Sequence, residues 1–444
     1  MRWMVVVLVV GCSGGSKHTP DAAKDAPVDV AIDALTCAPV TGAGTTHGTT
    51  ISAAETWTAA ASPHIIPGDL NIQAVVTIEP CAIVLIAANA TVTVGPTGEI
   101  LAAGVASGPV TIERKDAASP WKTIRVLGGA LSFTHTRISG GGAGSAVSDA
   151  AIAVLASSSS PSTIHVDNVD IDNSNTQGLY VVAGPGFDAS SQQLTVTGSG
   201  GYPIHIYGRL AGTIPTGTYT GNAHDQLMIS ALGPLDSIQT NTTLHDRGVP
   251  YHIGSGNSGP RLDVTATSGV ATLTIDPGVV LLFEAGGSLR IEPTLGTNPA
   301  SGALIANGTA AAPIVFSSAA TTPAAGDWQG IWFGQLVDPS SSIQYAHVEY
   351  AGAASVSQSG SCAYPTGSPI NDAAIRIMGS ALPGAAFISN TTISDSARHG
   401  IDRGWVSDTK TDFTATNTFA NVAGCKQTYP ANANNSCPAT VPCP

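Results

Sequence analysis

Charged residues are scarce in this chain of 444 residues. They make up 11% of it, and 17 lysines and arginines face 30 aspartates and glutamates, which gives a formal net charge of −13. Binding to nucleic acid depends on clustered basic side chains that neutralise phosphates. The basic residues of this chain are scattered, so the sequence predicts no nucleic-acid partner.

Helical periodicity and the short motifs of known catalytic sites are also missing. No sustained segment repeats its apolar residues with the period of a helix. The sequence contains no nucleophile elbow, no HExxH pair, no phosphate-binding glycine motif and no EF-hand loop. It also lacks calcium-binding nonapeptide repeats and any CxxC pair that would indicate zinc. The sequence therefore predicts neither a metal site nor a cofactor.

Glycine and proline, in contrast, are abundant, with 50 and 29 residues. Short apolar runs bounded by Gly, Pro, Asn or Ser are typical of strands joined by turns. The runs recur at roughly 20 to 25 residue intervals, the period of a solenoid turn. In the second half of the chain we predict strands at 271–275, 279–283, 288–291, 303–306, 314–316, 330–333, 342–348, 374–378 and 386–393.

The N-terminus has the composition of an export signal. A basic residue precedes the apolar run 5–10, and Gly-Cys follows the run. The tetrapeptide ending at Cys12 resembles a bacterial lipobox, which implies acylation of Cys12 and a stable membrane anchor. The absence of Asp after that cysteine favours the outer membrane in the enterobacterial sorting rule. We expect 1–12 to be the lipoprotein signal and 13–36, rich in Asp, Ala and Pro, to be a disordered tether.

An even number of cysteines remains after Cys12, which in an exported chain suggests disulfides. Proximity in the sequence suggests the pair Cys37–Cys81 at the start of the folded part. The connectivity of the others stays open, since six cysteines allow 15 pairings. We expect the disulfides to close the ends of a stack, and the candidates are Cys37, Cys81, Cys362, Cys425, Cys437 and Cys443.

A long passage of the chain occurs twice. Residues 76–80 read VTIEP and residues 273–277 read LTIDP, and the agreement continues in order through each copy. A repeat built from short strands predicts a stacked architecture. Further matched pairs are Trp121 with Trp328, Ile124 with Ile331, Leu131 with Ile343, Phe133 with Tyr345, His135 with His347, and 149–152 with 372–375.

The motifs of the second copy resemble those of bacterial exported right-handed parallel β-helix proteins, the pectate-lyase-like fold. They are IDPG at 275–278, GALIANGT at 302–309, PIVF at 313–316, WQGIWF at 328–333 and YAG at 350–352. The resemblance covers nearly all of 45–425. The first copy departs from it at Cys81, which stands where the second copy has Gly278.

The resemblance implies an all-β fold, a right-handed parallel β-helix (solenoid) with an internally duplicated block. We expect one continuous stack or two halves packed end to end. The predicted parts are a first half at 37–245, a second half at 246–425 and a Cys/Pro-rich C-terminal cap at 426–444. A pair of immunoglobulin-like sandwiches is the alternative fold, which would need hairpin turns.

Equivalent positions in a duplicated stack usually serve the same packing role. We therefore interpret Trp121 and Trp328 as caps of the core, and His135 and His347 as structural. Strict alternation over 343–349 would place Ile343, Tyr345 and His347 on one face of a strand. The turn at 245–247 with nearby His252 is interpreted as solvated.

The densest group of ionisable residues follows Ser394, in the second copy alone. One hypothesis is acid–base catalysis on a glycan, with Ca²⁺ only if the protein is a polysaccharide lyase. The alternative is a salt-bridged turn near the C-terminal end. The candidate catalytic residues are Asp395, His399, Asp402, Arg403 and Asp408, with Arg398 beside them, and Trp405 is the candidate for stacking on a sugar.

The sequence favours a non-enzymatic, adhesin-like lipoprotein, anchored to the bacterial outer membrane or cell surface. Its partner would be a polysaccharide or another component of the envelope. A polysaccharide lyase or glycosidase is the alternative, and an envelope component without a ligand is a third. A groove lined by acidic residues and aromatics would favour the enzyme, and smooth faces of Thr, Ser and Asn would favour the scaffold.

Overall fold

The computed structural model describes residues 36–254, 259–292, 301–334, 336–355, 357, 359–363, 371–379, 384, 387–439 and 443–444. Within it, Cys37–Pro444 forms one compact unit. The predicted lipid-anchored Cys12 and nearly all of the predicted tether lie outside the described residues.

The described chain forms 35 strands. Those of the first half are β1 (Thr45–Thr46), β2 (Thr50–Ile51), β3 (Glu55–Trp57), β4 (His64–Ile66), β5 (Leu70–Ile72), β6 (Val75–Ile78), β7 (Ile83–Ile86), β8 (Thr91–Val94), β9 (Glu99–Ala103), β10 (Val110–Arg114), β11 (Thr123–Leu127), β12 (Ala130–Ser139), β13 (Ile152–Leu155), β14 (Thr163–Asp172), β15 (Leu179–Val181), β16 (Gln192–Thr197), β17 (Ile204–Tyr207), β18 (Gly217–Thr218), β19 (Leu227–Ser230) and β20 (Thr242–Leu244).

The second half continues in the same way, with β21 (Tyr251–Gly254), β22 (Arg261–Val264), β23 (Ala271–Ile275), β24 (Val280–Phe283), β25 (Ser288–Ile291), β26 (Gly302–Asn307), β27 (Ile314–Ser318), β28 (Gly330–Phe333), β29 (Ser342–Gln344), β30 (Ala346–Glu349), β31 (Ala373–Ile377), β32 (Ile388–Ser389), β33 (Thr392–Ser394), β34 (His399–Arg403) and β35 (Thr418–Ala420). Three short 3-10 helices, Ala59–Ala61, Gly208–Thr213 and Gly233–Asp236, are the helices of the described part.

The strands form four parallel sheets. Sheet A has eleven strands and sheet B has fourteen, while sheet C (β20-β23-β26-β29-β32) and sheet D (β22-β25-β28-β31-β34) have five each. From β23 to β34 the chain visits sheets C, B and D in turn and then returns to C. This order is compatible with a solenoid. The all-β prediction is confirmed, and the parallel pairing of the strands excludes immunoglobulin-like sandwiches, whose sheets are antiparallel.

Alternating side chains build the core. In β8, Val92 and Val94 are buried, while Thr91 and Thr93 are partly exposed. Successive residues of a strand point to opposite sides, so the apolar set fills the interior and the polar set lies outside. Backbone groups pair from one turn to the next, which leaves unpaired edges only at the ends of a sheet.

The two copies share sheet B but contribute different strands to it. Sheet B runs through both halves, with β19 pairing β21 across the predicted boundary at 245. In the first copy it contains β8, whereas in the second copy it contains β24, the counterpart of β7. Between the copies, from β15 to β19, consecutive strands alternate between sheets B and A, and the second copy then cycles through sheets C, B and D.

Strand register corrects part of the predicted match between the copies. Phe133 pairs with Ala102, and Ile343 pairs with Ala306, the counterpart of Ala102 in the second copy. Phe133 is therefore the equivalent of Ile343, and His135 is the equivalent of Tyr345. A shift of two residues keeps the same faces buried, so alternation alone could not detect it.

The left-handed backbone also breaks the predicted alternation over 343–349. His135 and Tyr345 have φ of 40° and 48°. Each residue bends its strand, so that Ile343 points inward before Tyr345, while Ala346 points inward after it. His347 is thus the counterpart of Arg137. The predicted match of His135 with His347 was therefore wrong. The registers of Ile124 with Ile152 and of Ile331 with Ile375 support the match of 149–152 with 372–375.

Three disulfides hold the two ends of the compact unit. Cys37–Cys81 lies at its start, as the sequence suggested. Cys362–Cys437 and Cys425–Cys443 join the C-terminal segment to the last turns. Disulfides form in oxidising compartments, so they indicate an extracellular or periplasmic protein. No helix in the described residues is long and apolar enough to cross a membrane.

Candidate functional site

A polar groove of about 600 Å³ crosses the outer face of sheet A, from the first copy into the segment between the copies. Its floor is made by four neighbouring strands, β12, β14, β16 and β18. The same positions of successive strands line it, so its polar side chains form columns across the strands. The lining residues are Val105, Ala106, Pro109, His135, Thr136, Arg137, Asn168, Asp170, Gln193, Thr195, Gly217 and Thr218.

One column of the groove consists of left-handed residues. His135, Asn168 and Gln193 lie opposite one another on adjacent strands and have φ of 40°, 54° and 51°. Asn accepts this conformation more readily than most residues, because its short side chain bonds locally. Asn168 does so, with Nδ2 donating to Asp167 Oδ1 at 2.8 Å. The bends place the imidazole of His135 and the amides of Asn168 and Gln193 at the groove.

The second column joins charge to hydroxyl groups. Arg137, Asp170, Thr195 and Thr218 are in register on the four strands. Asp170 is exposed, and no hydrogen bond or ion pair joins its carboxylate to another described residue. A carboxylate and a row of hydroxyls are therefore open to solvent on one face of the sheet.

A neighbouring carboxylate, Asp172, fixes the arginine of this column. Arg137 Nε and Nη2 donate to Asp172 Oδ2 at 2.9 and 2.8 Å, and Ser139 and Asn173 also donate to this carboxylate. Burial acts to raise the pKa of Asp172, but the hydrogen bonds from Ser139, Arg137 and Asn173 outweigh it and hold the pKa below its ordinary value. Asp172 is thus ionised at neutral pH and orients Arg137 along the groove.

A second groove of about 710 Å³ lies at the ends of the same strands. Glu113, Arg114, Lys115 and Asn173 are among its lining residues. The Arg114 guanidinium donates to the carbonyls of Gly140, Ala117 and Asn173, so it holds the turns together. Lys115 is exposed and adds a second positive charge to this groove.

The candidate residues after Ser394 lie elsewhere and line neither groove. Asp395 and Asp408 are separate surface groups, and Asp395 accepts from Asn421 while Asp408 accepts from the Ala433 amide. Arg398 is exposed. Four of the candidates are buried in or beside β34, namely His399, Asp402, Arg403 and Trp405. The enzyme hypothesis for this stretch required carboxylates that converge in a groove. The carboxylates of this stretch do not converge in either groove.

The buried candidates have structural partners. Arg403 donates to the carbonyl of Thr411 at 2.7 Å, and His399 Nδ1 accepts the Cys425 amide at 2.9 Å. The Trp405 ring is fully buried, with Nε1 donating to the Thr409 carbonyl at 3.1 Å. A sugar ring has no access to it. These contacts join the last strands to the C-terminal segment.

Asp402 ends a column of charged and aromatic side chains on the outer face of sheet D. The column is in register on β22, β25, β28, β31 and β34 and consists of Asp263, Arg290, Trp332, Arg376 and Asp402. The two guanidinium carbons lie 4.0 and 4.5 Å from the centroid of the Trp332 ring. Cation–π contact on both faces of one indole stabilises charges that are removed from water.

A segment unique to the second copy covers the end of this column. We call the described residues of 353–363 the covering segment. Arg376 Nη1 donates to Ser355 Oγ at 2.8 Å, and Nη2 donates to the Ser357 carbonyl at 2.9 Å. Asp402 is completely buried, and burial raises its pKa although Arg376 and hydroxyl groups oppose the shift. Cys362–Cys437 fastens the covering segment to the C-terminal segment.

Histidines on the outer face of sheet B contact neighbouring polar side chains. His205 Nε2 lies 2.7 Å from Ser230 Oγ, and burial lowers the pKa of His205 to about 4. His252, expected near a solvated turn, is buried in β21 and contacts Gln226 and Glu284. A histidine with so low a pKa is a weak base at neutral pH. In the part of the chain that the structure describes, no cluster of His, Cys, Asp or Glu could hold a metal ion.

Sequence reasoning missed Arg137, Asp170 and Asp172. The signal is present in DNVDIDN at 167–173, where acids alternate with buried apolar residues. The predicted site lay instead after Ser394, where the second copy gains charge. Alternating acids opposite a basic residue on the preceding strand would have indicated it.

Comparison with known proteins gives no relative. No family model, no curated protein and no solved structure matches the chain.

Proposed function

We propose that this protein is an exported bacterial lipoprotein whose right-handed parallel β-helix binds a glycan on the outer face of sheet A, without cleaving it. The parallel sheets and the cyclic strand order support a β-helix of the pectate-lyase-like kind. The three disulfides support export. Acylation of Cys12 would hold the protein at the outer membrane or the cell surface.

The groove beside Arg137 is the observation that carries this proposal. It offers amides, hydroxyls, an imidazole and a fixed ion pair over four strands. Sugar hydroxyls are both donors and acceptors, and such a set can bond them in either role. The columns repeat at about 4.8 Å, the spacing of neighbouring strands. A repeating polymer can therefore make similar contacts on each strand.

The character of the groove favours binding over catalysis. Its lining contains no Phe, Tyr or Trp, and most of its polar groups are Thr, Asn, Gln and His. A smooth polar face is the feature expected of a scaffold that contacts the envelope or another surface. Asp172 and Arg137 neutralise each other, so the groove suits a neutral or weakly charged chain.

A polysaccharide lyase or glycosidase is a second candidate because of one local feature. Asp170 and Asp172 are two positions apart on the same face of β14, beside Arg137. Two residues of a strand span about 6.6 Å, in the range of the carboxylate pairs of inverting glycosidases. For this candidate the site lies on β14 and not in the stretch after Ser394. Ca²⁺ would be bound only if the reaction were a lyase elimination.

Binding and cleavage of polysaccharides distinguish the two candidates. The purified full chain would be incubated with dextran, cellulose, polygalacturonate and alginate, with and without Ca²⁺, and bound polymer and new reducing ends would be measured. We expect binding of at least one neutral polymer with no new ends, and about tenfold weaker binding in Arg137→Ala. Cleavage that disappears in Asp170→Asn would replace the binding proposal with the enzyme. Absence of binding to every polymer would contradict both.

Membrane attachment needs its own measurement. Cys12→Ala should move the protein from the membrane fraction to the soluble fraction, with loss of a lipid-sized mass from the mature chain. Labelling of intact cells with an impermeable reagent separates surface display from the periplasm. A wild-type protein that is soluble and unacylated would contradict the anchor.

A further inference from the structure

The two grooves of sheet A adjoin each other and form one polar path. On β12, Arg137 lines the first groove and Ser139 lines the second. Two residues of a strand span about 6.6 Å, so the grooves lie side by side. The first groove extends over β12, β14, β16 and β18, and the second begins at Leu85 on β7. Together they cross six neighbouring strands, a distance of about 24 Å.

The carboxylate of Asp172 lies at the junction of the two grooves. It accepts hydrogen bonds from Arg137 of the first groove and from Ser139 and Asn173 of the second. Arg137 compensates its charge, so the junction is close to neutral. A sugar chain can therefore pass from one groove to the other without meeting an uncompensated charge there.

Positive charge is concentrated where the second groove meets the turn after β10. The Arg114 guanidinium donates to three backbone carbonyls, which leaves two of its five N–H groups for a ligand. A Cβ at Gly140 would overlap the Arg114 side chain, so this glycine allows the guanidinium to lie against the turn. Neither Arg114 nor Lys115 forms an ion pair with a carboxylate of the described residues. Asn175 adds an exposed amide to the same groove.

Uncompensated negative charge lies elsewhere along the path. Asp170 is exposed in the first groove, and Glu113 lines the second groove without an ion pair to any described residue. Like charges repel, so a chain with an anion on every sugar would place anions against both carboxylates. A single anion beside Arg114 and Lys115 is opposed by Glu113 alone, and the two positive charges outweigh that carboxylate.

We propose that the path selects a glycan whose acidic groups are sparse. Neutral sugars occupy the first groove, and one carboxylate of the chain is bound in the second groove by Arg114 and Lys115. A polymer with a carboxylate on every sugar is bound less well, because Asp170 and Glu113 repel it. This inference rests on the proposed glycan binding and adds to it the charge pattern of the ligand.

A polymer series that differs only in charge density tests this inference. The purified full chain would be titrated with soluble fragments of dextran and of cellulose, and with their carboxymethyl derivatives of low and high substitution, in Ca²⁺-free buffer. We expect the lightly substituted form of the polymer that binds to be held about threefold more tightly than the neutral form. The heavily substituted form should bind more weakly than the lightly substituted one.

Two exposed lysines separate the effect of the groove from that of the net charge of the protein. Lys115→Gln should remove the gain, so that the lightly substituted and neutral polymers bind equally. Lys426→Gln is the matched control, because Lys426 is exposed and lines neither groove, and it should keep the gain. Asp170→Asn should improve the binding of the heavily substituted polymer.

The possible outcomes distinguish this inference from the binding proposal. Absence of binding to dextran, cellulose and all their derivatives would contradict the binding proposal and this inference with it. Affinity that falls steadily with substitution would overturn the anion site alone. Affinity that rises steadily would overturn the selection for sparse charge. A gain that persists in Lys115→Gln would place the anion outside the second groove and would also overturn the inference.

Discussion

The two copies of the repeat differ in how far the charged side chains on their outer faces are exposed. In the first copy Arg137 and Asp170 line an open groove, and the buried carboxylate of Asp172 binds Arg137 from one side. In the second copy Arg376 and Asp402 lie under the covering segment, with none of their side-chain surface exposed. Both copies keep the same inward-facing apolar frame. The two arginines lie on strands that are not counterparts, since the counterpart of Arg137 is His347, whose side chain is 40% exposed. Buried charge is therefore a feature of sheet D beneath the covering segment.

The same comparison separates two physical roles for charge. An exposed ion pair contributes little to stability, since water already solvates both partners. A buried charge must be matched by partners, because the loss of one leaves the other without solvation. Arg137 therefore remains available to a ligand, whereas Arg376 is committed to the interior.

Removing one arginine from each copy should give the largest difference. Arg376→Ala should lower the free energy of unfolding by about 3–5 kcal/mol, because Asp402 and Asp372 lose a buried partner. Arg137→Ala should cost about 0.2–1 kcal/mol, since the Arg137 side chain is 60% exposed. Urea denaturation of both variants measures the two costs. Equal costs would mean that the covering segment does not exclude water.

Removing the disulfide of the covering segment should have the next largest effect. Cys362→Ser/Cys437→Ser should lower stability by about 2–4 kcal/mol and increase the exposure of Trp332 to an aqueous fluorescence quencher. The matched control is Cys37→Ser/Cys81→Ser at the other end of the unit. That control should leave Trp332 protected, and quenching that rises equally in both variants would contradict the local role of Cys362–Cys437.

The acids of the two copies should respond to pH with opposite signs. The pKa of Asp172 is lowered, so its stabilising contribution is present above the ordinary value of 3.8 and is lost as the pH falls through the folded pKa. The pKa of Asp402 is raised by burial, so the folded chain gains stability as the pH falls through that raised pKa towards 3.8. Melting temperatures between about pH 3 and pH 7 should therefore show opposite changes of slope in Asp172→Asn and Asp402→Asn.

The matched tryptophans should show the smallest difference. Each is fully buried and donates from Nε1 to the equivalent carbonyl, Ser139 for Trp121 and Glu349 for Trp328. Either substitution to Ala should cost about 3–5 kcal/mol. Trp328→Ala should cost about 0.5–1.5 kcal/mol more, because Trp328 also stacks on Phe283 at 4.3 Å. A cheaper Trp328→Ala would show that the stack adds nothing.

The repeated strand pattern was sufficient to predict an all-β fold with parallel sheets and the match of Trp121 with Trp328. Alternation is a local property of a strand, and these strands alternate clearly. The left-handed bend at His135 and Tyr345 was not predictable in the same way, because it shifts the faces without changing the composition.

The site was harder to predict than the fold. Asp402 is buried by the covering segment and by Thr428, which are distant from it in sequence. The sequence therefore showed only a dense group of charged residues after Ser394, which is typical of an exposed site. Arg137 and Asp170 come together only through the register of β12 with β14. The sequence does not reveal that pairing until the number of residues in each turn is known.

The most direct test of the difference between the copies uses two asparagines in the same conformation. Asn168 and Asn390 have φ of 54° and 51°, and glycine accepts this conformation without strain. Polysaccharide binding would be measured for Asn168→Gly and Asn390→Gly beside the wild-type chain. Our account predicts about tenfold weaker binding for Asn168→Gly alone, with both variants folded. Equal loss in both variants, or loss only in Asn390→Gly, would contradict the assignment of the binding face to the first copy.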